Sequence, residues 1–236
     1  MNILALESSA TACSVALCRD GELVAQFYQN SGLTHSRTLL PMVDSLLRSS
    51  GHTLEEVDVI AVAAGPGSFT GLRIGVATAK GLAWPGDKDC APCSTLESMA
   101  WQCAHLGGEI CAVMDARRNQ VYNARFSCAD GVLTRLTQDR AVGLEELADE
   151  VKKSGNAQIL VGDGAAVCYN AFEARGIPCV LMPPHLRYQT AWGVARTAWR
   201  LAQEGNLVHA GQLTPQYHRL SQAERERLER MTQTNT

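Results

Sequence analysis

The 236-residue chain has no excess of charge of either sign: 21 Lys and Arg against 24 Asp and Glu leave a formal charge of -3. Without a global basic field, binding of nucleic acid by bulk charge is disfavoured, and only a local patch would serve. Long hydrophobic runs are missing as well. Stretches such as Val59-Ile60-Ala61-Val62-Ala63-Ala64 are far too short to cross a bilayer. The start, Met1-Asn2-Ile3-Leu4-Ala5, reaches Glu7 with no basic region and no apolar region of signal-peptide type, so a cytoplasmic chain without a membrane role is expected. Aromatic residues make up only 6%. No H-E-x-x-H, H-x-x-x-H or G-x-S-x-G occurs, and His35, His52, His105, His185, His209 and His218 lie far apart. Local spacing therefore supports neither a metal site nor a hydrolase nucleophile. What remains is a soluble globular composition, 46% hydrophobic, long enough to bury a sizeable core.

Nine cysteines are present, an odd number, and most stand in apolar segments. In a reducing compartment they read as small buried hydrophobes and not as a disulfide framework. Cys90-Ala91-Pro92-Cys93 is the one C-x-x-C. With no second pair or nearby histidines it reads as two semi-buried thiols at a strand start, since half a zinc site binds little.

Periodicity orders the chain. Residues 2–7, 13–18 and 22–28 read as strands, with Asp20-Gly21 as a hairpin turn. Leu39, Met42, Val43, Leu46 and Leu47 recur at helical spacing over 34–50, with Thr34 or Ser36 as cap and Gly51 as stop. Pro41 inside that pattern predicts a late start or a kink. A buried strand over 58–64, a glycine-rich break and a helix over 70–84 follow. A short strand at 90–93 leads into a helix over 95–105. Residues 109–114 and 120–127 read as another hairpin, and helices and strands then alternate to residue 204. The order β-β-β-α-β-α and its looser repeat imply a duplicated α/β unit, not a Rossmann sheet or a barrel.

Chemistry is thinly supplied. Gly65-Pro66-Gly67-Ser68-Phe69-Thr70-Gly71 follows a buried strand and opens a helix, where N–H groups favour an anion. Yet it lacks the Walker lysine, and Thr70 stands where a dinucleotide fingerprint needs its third glycine. Gly71, Gly75 and Ala79 line one edge of that helix, beside Leu82. Two helical glycines cost roughly 1 kcal/mol each relative to alanine, so another backbone approaches closely: the chain's own sheet, a partner helix or a bound phosphate. Glu7-Ser8-Ser9 could hold a metal or phosphate, or merely satisfy its own turn. His35 reads as a capping or surface residue. Asp115 with Arg117 and Arg118 reads as an ion pair within a hairpin turn, worth little if exposed.

Taken together, Ile3-Leu4-Ala5-Leu6-Glu7-Ser8-Ser9, His35-Ser36, the run from Gly65 through Phe69 and Arg73 to Gly75, Ser94-Thr95-Leu96-Glu97 and Asp115-Ala116-Arg117-Arg118 resemble the TsaB family. Pro215-Gln216-Tyr217 extends the resemblance, which covers essentially the whole chain. It implies the actin-like ATPase architecture of sugar kinases, heat-shock proteins and actin, in two lobes with the second reduced: 1–106, 107–220 and a solvated tail over 221–236. It also implies a role in the threonylcarbamoyl modification of tRNA adenosine next to the anticodon. The catalytic cousin, TsaD, carries an H-x-x-x-H metal motif where this chain has Thr95 and Met99, neither a competent substitute for imidazole.

The resemblance thus implies a non-catalytic scaffold without cofactor. It would pair with TsaD and, through that pair, with the ATPase TsaE, touching tRNA only within the complex. The alternative is an ATP-using phosphotransferase or a metallopeptidase of the related glycoprotease class. The expected partner face combines Leu39, Met42, Val43, Leu46 and Leu47 with Gly71, Leu72, Gly75, Ala79 and Leu82, two helices from each protein meeting as a bundle. A homodimer through the same patch would compete.

Overall fold

The computed structural model describes residues 1–219. Strands β1 (Asn2–Glu7), β2 (Cys13–Arg19) and β3 (Glu22–Gln29) form an antiparallel meander. Asp20 and Gly21, at φ 50° and 85°, supply the left-handed pair that a tight hairpin demands. Then come α1 (His35–Ser50), β4 (Val59–Gly65), α2 (Phe69–Ala83), β5 (Asp89–Ser94) and α3 (Thr95–Trp101). β4 lies parallel to β1, and β5 parallel to β4. The first sheet has the order β12-β5-β4-β1-β2-β3, where β12 is the late pair Val208–His209.

The second half repeats the plan. β6 (Gly108–Asp115), β7 (Gln120–Ala129) and β8 (Val132–Arg135) form a meander, and β9 (Arg140–Gly143) adds to β7. After α4 (Leu144–Ser154) come β10 (Gln158–Val161), α5 (Ala165–Glu173), β11 (Cys179–Leu181), α6 (Pro184–Arg187) and α7 (Ala191–Gln203). The second sheet, β11-β10-β6-β7-β8, has the order and directions of β5-β4-β1-β2-β3. Each half is thus one meander extended by two crossovers to parallel strands, and the duplicated unit is that of the actin-like ATPase fold.

Packing departs from the expected division at residue 106. Met99, Leu96 and Cys103 of the α3 region pack on Ile110, Met114 and Phe126 of the second sheet. Conversely, Ala191, Val194, Ala195 and Ala198 of α7 pack on Ile3, Ala16, Ala61 and Cys93 of the first. Each lobe donates its last helix to the other. Residues 191–213 therefore do not belong with the second lobe: small side chains let α7 lie flat on the alanine-rich face of the first sheet. The tail over 221–236 lies outside the described residues.

Smaller differences have equally local causes. α1 begins at His35 and passes through Pro41 without a late start. Pro41 is on the exposed face, where solvent serves the carbonyl that its missing N–H leaves free. Thr34 is the N-cap residue, but its side chain makes no cap bond. α3 stops at Trp101, short of 105, and a 3-10 turn covers Ala104–Leu106. Cys90 and Cys93 are fully buried and not at a semi-exposed strand start. They fall in the cores on opposite faces of β5, as a spacing of three along a strand requires. Eight of the nine thiols are buried.

Candidate functional site

The carboxyl ends of β1, β4, β6 and β10 face one another across a cleft of about 590 Å³, at the edge where open α/β sheets take their ligands. From the first lobe it is lined by Ser9, Ala10, Gly67, Ser68, Phe69 and Thr70; from the second, by Asp115, Arg117, Tyr122 and Asp163. Gln216, Tyr217, His218 and Arg219 close one side. The topology thus gathers Gly67, Ser68, Phe69, Thr70, Asp115 and Arg117, six positions that the sequence marks. Asp163 is not among them. Its only signal is Gly162-Asp163-Gly164 after a strand, the second lobe's counterpart of the first lobe's glycine break.

The floor holds buried acids. Glu7 is fully buried; its Oε1 accepts the Ser9 N–H at 2.6 Å, and its Oε2 has no partner. Burial raises its carboxyl from 4.5 to about 7, against the lowering effect of neighbouring Ser9 and with a small push from Asp163. Asp163 is also raised, chiefly by burial, although Gln189 donates to it at 3.2 Å. The Ser9 hydroxyl is buried and unpaired. His35 does not cap its helix; its Nε2 lies 2.7 Å from the Ala10 carbonyl and ties α1 to the β1 turn.

The glycine-rich stretch serves this chain's own packing. A Cβ atom at Gly71 would collide with the Ser8 carbonyl oxygen, and at Gly75 one would sit 2.5 Å from Ser8 Oγ and 3.1 Å from Val62. Ser8 Oγ in turn donates to the Gly71 carbonyl at 3.0 Å. Of the readings open at this edge, close approach of the β1 turn is the one realised. Ser68 caps α2 by accepting the Gly71 N–H at 3.4 Å.

Likewise, Leu39, Val43, Leu46, Leu47 and Ala79 are buried in the core beneath the first sheet, with Met42 and Leu82 half-buried against it, and Leu72 is buried as well. The expected apolar partner stripe is spent on the fold, because both helices must cover the sheet face formed by Leu4, Leu6, Val15 and Val62. Among the residues that α1 and α2 present outward are Leu40, Pro41, Asp44, Thr70, Arg73, Ala77 and Gly81.

One wall is aromatic. Phe69 stacks on Tyr217 with centroids 4.5 Å apart. Arg73 lies over Phe69 at 3.9 Å, and its Nε donates to the Tyr217 hydroxyl at 3.0 Å. The Gln216 N–H donates to the Ala64 carbonyl at 2.7 Å, so closely that Gly65, at φ 145°, could carry no side chain. Arg219 reaches across to the Ala116 carbonyl at 2.5 Å. The segment thus spans the two lobes.

Thr95 and Met99 are fully buried. Met99 packs in the second core beside Gly162. Among the described residues no helix is long and apolar enough to span a membrane.

Comparison with known proteins agrees with this architecture. The family model described as TsaD, tRNA N6-adenosine threonylcarbamoyltransferase, matches residues 29–224. The tRNA threonylcarbamoyladenosine biosynthesis protein TsaB of Escherichia coli is 31% identical over 93% of this chain and 95% of its own. The protein of that name from Bacillus subtilis is 35% identical over 69% of this chain and 71% of its own. The solved structure of YeaZ from Pseudomonas aeruginosa superposes with a TM-score of 0.79 at 29% identity, over 92% of this chain and 99% of that one. With the fold duplicated and the match running through both lobes, the chain belongs to the TsaB family and to tRNA threonylcarbamoyladenosine biosynthesis.

Proposed function

We propose that this chain is the non-catalytic partner of TsaD: it pairs with that enzyme and, through the pair, engages TsaE, supporting threonylcarbamoyl transfer to the tRNA adenosine next to the anticodon. The observation that carries the reading is the burial of Thr95 and Met99. The two positions that match the cousin's metal histidines are core residues in this chain. The glycine break also lacks a lysine, and Tyr217 and Arg73 lie across it. The pairing face is the outer side of α1 and α2, now restricted to the residues that point away from the sheet. Leu40 is 54% exposed there, and Gly81 has open space where a Cβ would stand. A homodimer through this face would compete with the heterodimer.

The test is co-purification with TsaD of the same organism. Leu40→Asp with Ala77→Arg should abolish pairing while the isolated chain keeps its melting temperature. Retained pairing by that double variant refutes the face, and failure of the wild-type chain to pair refutes the function. A second reading, an ATP-using phosphotransferase, is favoured by the acids Glu7, Asp115 and Asp163 at the cleft. Stoichiometric turnover of ATP by the isolated chain with magnesium would establish it and remove the first.

A further inference from the structure

The turn between β6 and β7 is built at a cost. Arg117, Arg118 and Asn119 all lie in the left-handed region, at φ 60°, 56° and 60°. For residues with a Cβ this costs on the order of 1 kcal/mol each. A hairpin usually meets that need with Asn-Gly or Asp-Gly; here the same backbone presents two arginines. Surrounding bonds hold the geometry. Asp115 Oδ1 accepts the Arg117 N–H at 2.7 Å, the Gln120 N–H donates to the Arg117 carbonyl at 3.2 Å, and the Leu144 N–H to the Asn119 carbonyl at 3.1 Å.

The two guanidinium groups are exposed. Among the described residues neither has an acidic partner within ion-pair distance, whereas Arg125, Arg135, Arg140, Arg175 and Arg200 all do. Arg219 adds a third guanidinium at the root of the turn, on the Ala116 carbonyl. Asp115 spends one carboxylate oxygen on the turn's own backbone. The turn is therefore a local cationic point on a chain whose formal charge is -3.

Beneath it lies a dent of about 350 Å³, separate from the cleft but sharing Asp115 and Arg117 with it. Its lining includes Val167, 49% exposed, with Val121 and Leu144 buried behind it. Asn119 and Gln120 stand at its rim with amide groups able to donate and accept. One dent is thus lined by an exposed valine, side-chain amides and guanidinium groups, which suit the face, the edge and the phosphate of a nucleotide.

We propose that the 115–120 turn and this dent hold one unstacked nucleotide of a single-stranded RNA segment, its phosphates on Arg117 and Arg118 and its base against Val167. The inference rests on the tRNA-modification reading above and gives this chain a direct share in holding the RNA. Guanidinium pairs suit phosphate bidentately, and each neutralised phosphate releases counterions on binding.

The test uses the complex of this chain with TsaD and unmodified tRNA, titrated at several salt concentrations. Three chains are compared: wild type, the double variant Arg117→Asn with Arg118→Gly, and a control, Lys152→Glu with Lys153→Glu, at the far end of α4. The double variant suits the left-handed backbone, so its melting temperature should rise while tRNA affinity falls at least tenfold. Its slope of log affinity against log salt should shrink by about two, one for each phosphate that no longer meets an arginine. The control should change affinity less than threefold.

Equal affinity of wild type and the arginine variant overturns the proposal. So does loss of TsaD pairing by the variant, which would make the turn a protein interface. If the wild-type chain does not pair with TsaD, the functional reading falls by itself. The same three chains, tested alone with tRNA, then decide the inference.

Discussion

Glu7 is buried with an unpartnered oxygen, and the physical consequence is a pH dependence. Its carboxyl is raised from 4.5 to about 7 by burial, so the folded state binds a proton that the unfolded chain has released across that interval. Stability is then fully present below pH 4.5 and is lost as pH rises through 7, a difference on the order of 3 kcal/mol. Glu7→Gln keeps the volume and removes the charge. Its melting temperature should decline less than that of wild type between pH 5 and 8, and the two curves should approach each other at pH 5. Parallel curves would place the burial penalty elsewhere. The sequence marks Glu7 as a candidate ligand, but it cannot show this burial, because Asp163 of the second lobe comes near it only when the two sheets close.

At the scale of elements, periodicity locates α1, α2, α4, α5 and α7 and the paired strands, because amphipathic spacing is a local property. It misses β8 and β9, four residues each, too short to show alternation. It also misassigns the faces of α1 and α2. Leu39, Val43 and Leu46 look alike as core and as interface, and only the position of the sheet separates the two. The glycine edge of α2 makes the same point, and its assignment is testable. Gly75→Leu should destabilise the isolated chain strongly, by more than about 3 kcal/mol, because Ser8 and Val62 leave no space for the side chain. Gly81→Leu, on the open face of the same helix, should leave the melting temperature unchanged or raise it slightly through helix propensity. Thermal denaturation of the two variants side by side distinguishes a packing glycine from one reserved for a partner; equal and small effects would restore the partner reading.

For the whole molecule, the exchange of α3 and α7 makes two lobes into one cooperative body. The helices cross where Gly193 meets Ser98, with the Ser98 and Thr197 hydroxyls 3.3 Å apart. Glu97 then fastens the crossing. Its carboxylate, 8% exposed, bonds Arg135 of β8 at 3.0 Å through Oε2 and Arg200 of α7 at 2.8 Å through Oε1. Arg135 is held in turn by Asp139 at 2.5 Å, and Arg200 by Glu204 at 2.7 Å. A carboxylate shared by two guanidinium groups from different lobes resists their sliding apart. Glu97→Leu would leave both arginines facing a low-dielectric crossing without their common partner. The loss expected for a fully buried pair, roughly 3–5 kcal/mol, is reduced here because both arginines keep their access to solvent and their second acids. About 2 kcal/mol is expected, equivalent to roughly 4–8 °C in melting temperature for a chain of this size. Because α3 and α7 each cover the other lobe's sheet, that loss should appear as one transition moved to lower temperature. Resolution into two separate transitions would show that the lobes fold independently and that the exchanged helices do not couple them.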